Sequence, residues 1–504
     1  MIVLFASKAV NLYKLITKMN ATLLQIAKPC LLATSICIAL CSSPIVSAQI
    51  DNLPVLGDAV SGTITTEQEY EFGREIIRSM RAQSPLLKDP LIEEYIAGLS
   101  YHLAANSELT DHRLEFLLID SDQLNAFAAP GGIVGVNAGL FLYADNEGQF
   151  ASVISHELAH LSQRHYARGV AQSQSSRIAS IATTLASILI LAAAGGEAGQ
   201  AALAVSQAAM TENRLQFSRA NEEEADRVGM RTLFSAGFDP QDMPGMFENM
   251  MQMRSFSRRM PEFLSSHPLD ENRVADSRNR ALGLPAVEHI QNVEFLLMKQ
   301  RALLHYQTDY QGHIDGLERD LPQLNGAEAD AAIYGIALAQ LRNGEFVAAT
   351  ESLVPLLSKD PNRISYVVLE AEIAKAAEDY EQALDILEEH LDINPNNYPL
   401  SLTYAETLDA NNRHAEAIAV YKELSQQRPN DINIWYELAE LQGLVGDISG
   451  VHQARAEYFY GTGEFGRALG HLNSALLERN DQLTVARIRQ RIDDIQTTID
   501  RYYQ

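Results

Sequence analysis

The sequence predicts a mainly α-helical chain in two parts: an N-terminal unit with one small β-sheet beside a long helix, and a C-terminal solenoid of paired helices. Three observations carry this reading. Phe150, Ile154, Leu158 and Leu161 recur four, four and three residues apart, the stripe of an amphipathic helix. Two short β-type runs, Leu114 to Ile119 and Gly132 to Val136, break that period just upstream. Pro361, Pro395 and Pro429 then fall 34 residues apart twice in succession, a spacing typical of stacked helix pairs. At 504 residues, 46% hydrophobic and 21% charged, the chain has room for two or three folded domains and is not intrinsically disordered.

From Met19, the expected start, the chain reads Lys28, an apolar stretch and then Val46-Ser47-Ala48 before Gln49, the pattern of a secretory signal with a small-x-small cleavage site. Residues 1–48 are therefore expected to be removed on export to the periplasm. They hold four lysines and no acid, which leaves 35 basic against 65 acidic residues, or −30, on the rest of a chain whose net charge is −26. Such a surface repels phosphate backbones, so nucleic acid is not an expected partner. All three cysteines, Cys30, Cys37 and Cys41, lie inside this leader. The exported chain then forms no disulfide, and any metal must be held by histidine and carboxylate. Ile178 to Ala194 is apolar but interrupted by Ser180, Thr183, Thr184 and Ser187. It reads as a buried helix or one in peripheral contact with a membrane, not as a span.

Beyond the leader, residues 49–110 are helical in pattern, with a cap-like Thr66 opening a helix that runs to about Ser79. The two β-type runs follow, with Asn125 to Gly132 supplying turn chemistry between them. The striped helix extends from about Asp145 to Gln163. After residue 290 the prolines organise the chain. Aligned on them, Ala337, Ala371, Ala405 and Ala439 share one position, and Ala349, Ala383 and Ala417 another, small residues where paired helices touch. The period is that of the tetratricopeptide repeat. Gly463-Glu464-Phe465 with Ala468 is half a period out of step, so the array is expected to end irregularly. The resulting domains are 49–290 and 291–504.

His156-Glu157-Leu158-Ala159-His160 is an HExxH pattern on the striped helix. Residues i and i+4 share a helical face, so both imidazoles reach one tetrahedral ion while Glu157 points at its water. Catalytic zinc takes three protein ligands and an open position, so a third ligand is needed. His165 lies five positions past His160, off the shared face, and reads as a surface residue. Asn221-Glu222-Glu223-Glu224-Ala225-Asp226 is the better source. Glu222 and Asp226 share a face, so one binds metal while the other holds a ligand histidine; spacing alone leaves Glu223 open. The first unit is thus expected to be zincin-like, with one zinc ion per chain.

HExxH followed by Glu222-x-x-x-Asp226, preceded by Asn-Ala-Phe-Ala-x-Pro-Gly-Gly, resembles the metallopeptidase family of CAAX prenyl endopeptidases and HtpX-like proteases. With a leader and C-terminal tetratricopeptides, nearly the whole chain resembles the periplasmic β-barrel assembly-enhancing proteases of Gram-negative bacteria. The resemblance implies His156, His160 and Glu222 as zinc ligands, Glu157 as general base and Asp226 as orienting acid. It also singles out His267, in Ser265-Ser266-His267-Pro268-Leu269, on a loop that reaches the zinc. There it is a removable fourth ligand that plugs the site, a transition-state hydrogen-bond donor, or a plain loop histidine. Hydrolysis would follow from proton transfer to Glu157 and on to the leaving amine. An extended peptide would pair with a free edge of the strand at Ile133, Val134 and Val136. The implied clients are misfolded or stalled outer-membrane β-barrel proteins, with the repeats docking on the outer-membrane assembly machinery. The competing expectation is a proteolytically silent tetratricopeptide chaperone or adaptor.

Overall fold

The computed structural model of the chain describes residues 64–172, 219–256, 261–288, 291–478 and 481–502. The expected leader and the 178–194 segment lie outside them. No helix among the described residues is long and apolar enough to cross a membrane.

Helix α1 (Thr66–Gln83) opens on a capping box in which Thr65, not Thr66, is the N-cap and exchanges hydrogen bonds with Gln68. Helix α2 (Pro90–Ala105) starts on Pro90 with Asp89 capping the amides of Leu91 and Ile92. Three strands follow: β1 (Glu115–Ile119), β2 (Ala126–Ala129) and β3 (Ile133–Asn137), in the order β1-β3-β2. β1 runs parallel to β3, and β2 pairs with β3 as an antiparallel hairpin.

Two expectations need correction here. The segment read as turn chemistry contains a strand of its own, and the turn is confined to Pro130, Gly131 and Gly132, whose glycines take φ of 79° and 80°. Ile133, Val134 and Val136 also present no free edge, because β3 is the central strand, paired on both sides and buried throughout. A continuous apolar run suits a strand covered on both faces, whereas an edge strand alternates. The outer edge nearest the HExxH helix belongs to β2, which packs on it.

After the single-turn helix α3 (Leu140–Tyr143), helix α4 (Glu147–Ser162) starts on the Asn146 cap and is buried along nearly its whole length. Phe150, Ile154 and Leu158 face the core, and Leu161 packs at its margin. Around α4 lie α5 (His165–Gln172), α6 (Arg219–Ser235), α7 (Asp242–Phe256), the short α8 (Phe263–Ser266) and α9 (Glu271–Leu282).

Helices α10 (Val293–Tyr306) and α11 (Tyr310–Asp320) lead into the repeats. These are α12 (Gly326–Arg342) with α13 (Phe346–Lys359), α14 (Ile364–Ala376) with α15 (Tyr380–Ile393), α16 (Tyr398–Ala410) with α17 (His414–Gln427), and α18 (Ile432–Leu444) with α19 (Ile448–Gly461). The aligned alanines are all buried. The turn inside each pair takes one positive-φ residue, Gly344, Glu378, Asn412 and Gly446, again 34 residues apart. Gly463, with φ 79°, makes the same turn half a period on, between α19 and α20 (Phe465–Leu477). Helix α21 (Gln482–Tyr502) follows.

The expected boundary at 290/291 falls inside one continuous apolar core. Phe141 stacks on Phe295 and Phe150 meets it edge-on, both at centroid distances of 5.9 Å, and the same cluster runs on through Tyr334 to Leu369. Across this seam the buried Arg301 binds Asp89 at 2.6 Å, Glu372 at 2.9 Å and the Tyr334 hydroxyl at 3.1 Å.

Candidate metal centre

Helix α4 delivers His156, Glu157 and His160, which are 1%, 1% and 4% exposed. Their carboxylate partners arrive on α6, which crosses α4 closely because Gly229 faces it. A Cβ there would stand 3.0 Å from the Ser155 carbonyl oxygen and 3.1 Å from the His156 backbone. That close approach brings Glu222 and Asp226 onto His156. His267 comes from the end of α8, its N–H bonded to the Phe263 carbonyl and its ring stacked on the Phe263 ring.

One donor atom each from His156, His160, Glu222 and His267 converges within 4.8 Å. His156 Nε2 lies 3.0 Å from His160 Nε2 and 3.4 Å from His267 Nδ1. Glu222 places one oxygen 3.5 Å from His156 Nε2 and the other 3.5 Å from His160 Nε2, with both 3.2 Å from His267 Nδ1. A tetrahedral ion bound at about 2.0–2.1 Å sets its ligand atoms roughly 3.3 Å apart, so the donor set fits a divalent metal. Charge agrees. Burial disfavours a charged imidazole, yet the Asp226 and Glu222 carboxylates hold His156 up at about 10, so the pocket favours positive charge.

His156 and His160 are held from behind by two different devices. His156 Nδ1 stands 3.0 Å from Asp226 Oδ1, and Asp226 takes a two-pronged grip from Arg273, whose Nε and Nη2 each donate over 2.7 Å. Arg273 Nη1 also lies 3.0 Å from Glu222 and donates to the Pro268 carbonyl, tying the His267 loop to the carboxylate. His160 Nδ1 instead meets His165 Nδ1 at 2.8 Å, and His165 Nε2 meets Glu224 at 3.1 Å, with Arg168 on the same carboxylate oxygen at 2.8 Å. The surface reading of His165 is therefore wrong: its ring is 1% exposed. The chain leaves α4 at Ser162, and Arg164 takes φ 50°, so the position is not on the helical wheel that the reading assumed. Burial and Arg168 push the His165 ring down to about 4 against the pull of Glu224, which keeps it neutral.

Glu157 faces the cluster from the side, with Oε1 3.5 Å from His267 Nε2. Burial raises its carboxyl above the usual range, and Oε1 has no hydrogen-bond partner among the described residues. Glu223 is exposed on the outer side of α6 and does not join the cluster. Ile133, Val134 and Val136 are packed in the sheet.

Residues 90–281 match the family model of Peptidase family M48, and residues 374–441 match a tetratricopeptide repeat model. Over 461 residues, 91% of this chain and 94% of the relative, the chain is 32% identical to the beta-barrel assembly-enhancing protease of Escherichia coli (strain K12). The chain belongs to the beta-barrel assembly-enhancing protease family. The counterpart in Yersinia pestis is 33% identical over 90% of this chain and 93% of its own. A narrower match, 29% over 38% of this chain and 36% of the relative, links it to the mitochondrial metalloendopeptidase OMA1 of Arabidopsis thaliana. As a member of this family the chain is a metallopeptidase, and the His-His-Glu-His group is where its described residues can hold a metal.

Sequence reasoning missed Arg273, Glu224 and the inward turn of His165. Arg273 had a readable signal: Asp270 caps α9, which fixes Arg273 in its first turn, six residues past His267.

Proposed function

We propose that this chain is a periplasmic zinc endopeptidase, exported by a leader over residues 1–48, with its peptidase unit in 49–290 and its docking repeats in 291–504. Its substrates are misfolded or stalled outer-membrane β-barrel proteins, and the repeats serve as chaperone and as contact to the assembly machinery. The β-barrel assembly for which the relatives are named supports this class of client, and the site supports the chemistry. The observation that carries the chemistry is the convergence of four buried donor atoms within 4.8 Å of one another, with the Glu157 carboxylate beside them.

His156, His160 and Glu222 would hold one zinc ion, which supplies a Lewis acid for the scissile carbonyl and acidifies the attacking water. Glu157 would serve as the general base, accepting a proton from the attacking water and returning it to the leaving amine; burial raises its carboxyl above the usual range, which suits a group that both accepts and donates. Asp226, fixed by Arg273, holds His156 Nδ1 and turns Nε2 inward. His267 would supply a fourth donor and so close the site, and opening would then require the α8 turn to swing out. Phe263, which packs against both His156 and His267, would move with it. The strand that receives an extended substrate is β2, whose outer edge lies beside α4, in place of β3.

The test is metal stoichiometry together with casein hydrolysis on the mature chain, alongside Glu157→Gln. One zinc per chain in both proteins, with cleavage lost only in the variant, is expected. Wild-type cleavage by metal-replete Glu157→Gln removes the assigned base.

A further inference from the structure

A cleft of about 500 Å³ opens between α1 and the last repeats, on the β1 side of the sheet. Arg74, Arg78 and Arg81 line it from α1, and their spacing of four and three puts three like charges on one helical stripe, an arrangement that is unfavourable by itself. Arg491 of α21 faces them. Only two acids share the wall. Glu115 takes Arg74, Arg81 at 2.9 Å and the Asn430 amide at 2.7 Å, so its charge is already shared between two arginines. Glu457 is occupied by Arg491 at 2.6–2.8 Å.

Arg78 is left over. No carboxylate lies within 4 Å of it among the described residues, and it donates to the Tyr460 hydroxyl over 2.9 Å. Its guanidinium centre rests 4.7 Å from the Tyr460 ring, and Arg491 covers the same ring at 4.3 Å. The cleft therefore carries two more positive than negative side chains, inside a chain of net charge −26. Beside the arginines the wall is apolar: Ile77, Ile432, Pro429 and the indole of Trp435, which is pinned by its Nε1–H to the Pro429 carbonyl at 2.8 Å.

We propose that this cleft docks the C-terminal end of an extended polypeptide, its terminal carboxylate on Arg78 and its last side chain against Trp435 and Ile432. Guanidinium groups match the planar, two-oxygen geometry of a carboxylate. The volume lies in the range, about 300–1,000 Å³, of pockets that enclose small ligands. A free phosphate would satisfy the arginines but leave the apolar wall bare, so a carboxylate carrying an apolar group fits better. The inference rests on unfolded polypeptides being the substrate class, and it gives the chain a hold on clients that is separate from the metal centre.

The experiment measures fluorescence anisotropy of labelled hexapeptides on the full mature chain, with an apolar last residue and either a free carboxylate or an amide at the C-terminus. The free acid is expected to bind at least about tenfold tighter. Arg78→Gln should bring it to the level of the amide, and Arg78→Lys should keep part of the difference. Equal affinity for acid and amide, or an undiminished difference in Arg78→Gln, overturns the proposal. So does an amidated peptide with an internal Glu that binds as tightly as the free acid. Should Arg78→Gln not fold, the acid–amide comparison on the unaltered chain still decides. The assay involves no hydrolysis, so its failure leaves the peptidase reading standing, and a chain that cleaves nothing still answers it.

Discussion

His160 and His165 meet through their Nδ1 atoms at 2.8 Å, in the interior of the peptidase unit. Since His160 turns Nε2 to the other metal-site donors, Nδ1 carries its proton and donates to His165, which must then carry its own proton on Nε2 and donate to Glu224. A neutral imidazole thus stands where ligand histidines usually find a carboxylate or carbonyl. Replacing His165 by Phe keeps the volume and removes the acceptor. Metal affinity, read by competition with a chelator, should fall by about 10- to 100-fold, with helical content unchanged. An unaltered dissociation constant would show that the contact orients nothing.

His267 stands in the metal cluster with 2% of its surface exposed. If it closes the site, His267→Ala should raise the turnover of an unfolded substrate while zinc stays at one per chain. A rate equal to or below that of the unaltered chain removes the plug.

Gly229 lets α6 approach α4 at His156. Gly229→Ala puts a methyl group about 3.0 Å from backbone atoms that cannot step aside, so α6 must shift and carry Glu222 and Asp226 away from the histidines. The expected cost is about 1–3 kcal/mol in urea unfolding, with weaker metal binding. Full stability together with full affinity would mean that the crossing has slack.

Arg301 is 4% exposed and holds Asp89 and Glu372 together. Arg301→Met leaves both carboxylates without their charge partner at the seam, a loss of about 3–5 kcal/mol at pH 7. Burial alone would raise the Glu372 carboxyl, but Arg301 more than offsets it and holds the group below its ordinary 4.5. The folded value lies below the unfolded one, so this stabilisation is complete above about pH 4.5 and drains away as the pH falls further. Denaturant midpoints from pH 7 down to pH 3 should therefore drop more steeply in the unaltered chain than in Arg301→Met. Parallel slopes would count against the pair.

Much of this was readable because it is periodic. The stripe through Phe150, Ile154 and Leu158 fixes α4 and with it the register of His156 and His160, and the 34-residue proline spacing fixes the repeats. Glu222 and Asp226 were legible as a pair one helical turn apart. What was hidden depends on tertiary placement. Ala126 to Ala129 has no β-branched residue to mark it as a strand, and it pairs because the glycine turn folds it onto β3. His165 was misjudged because one residue in a left-handed conformation, Arg164, ends the helical register before it. The Asp270 cap places Arg273 in the first turn of α9, but only the tertiary fold puts Asp226 within its reach.

The seam through Phe150, Phe295 and Tyr334 bears on how the molecule can be divided. Cutting the chain near residue 290 would strip the protease half of an inner wall and turn packed aromatic rings outward to solvent. The excised half should clump instead of behaving as a smaller enzyme. The first repeat helices thus form part of the wall behind the HExxH helix, and a change in their packing bears on that helix through one shared core.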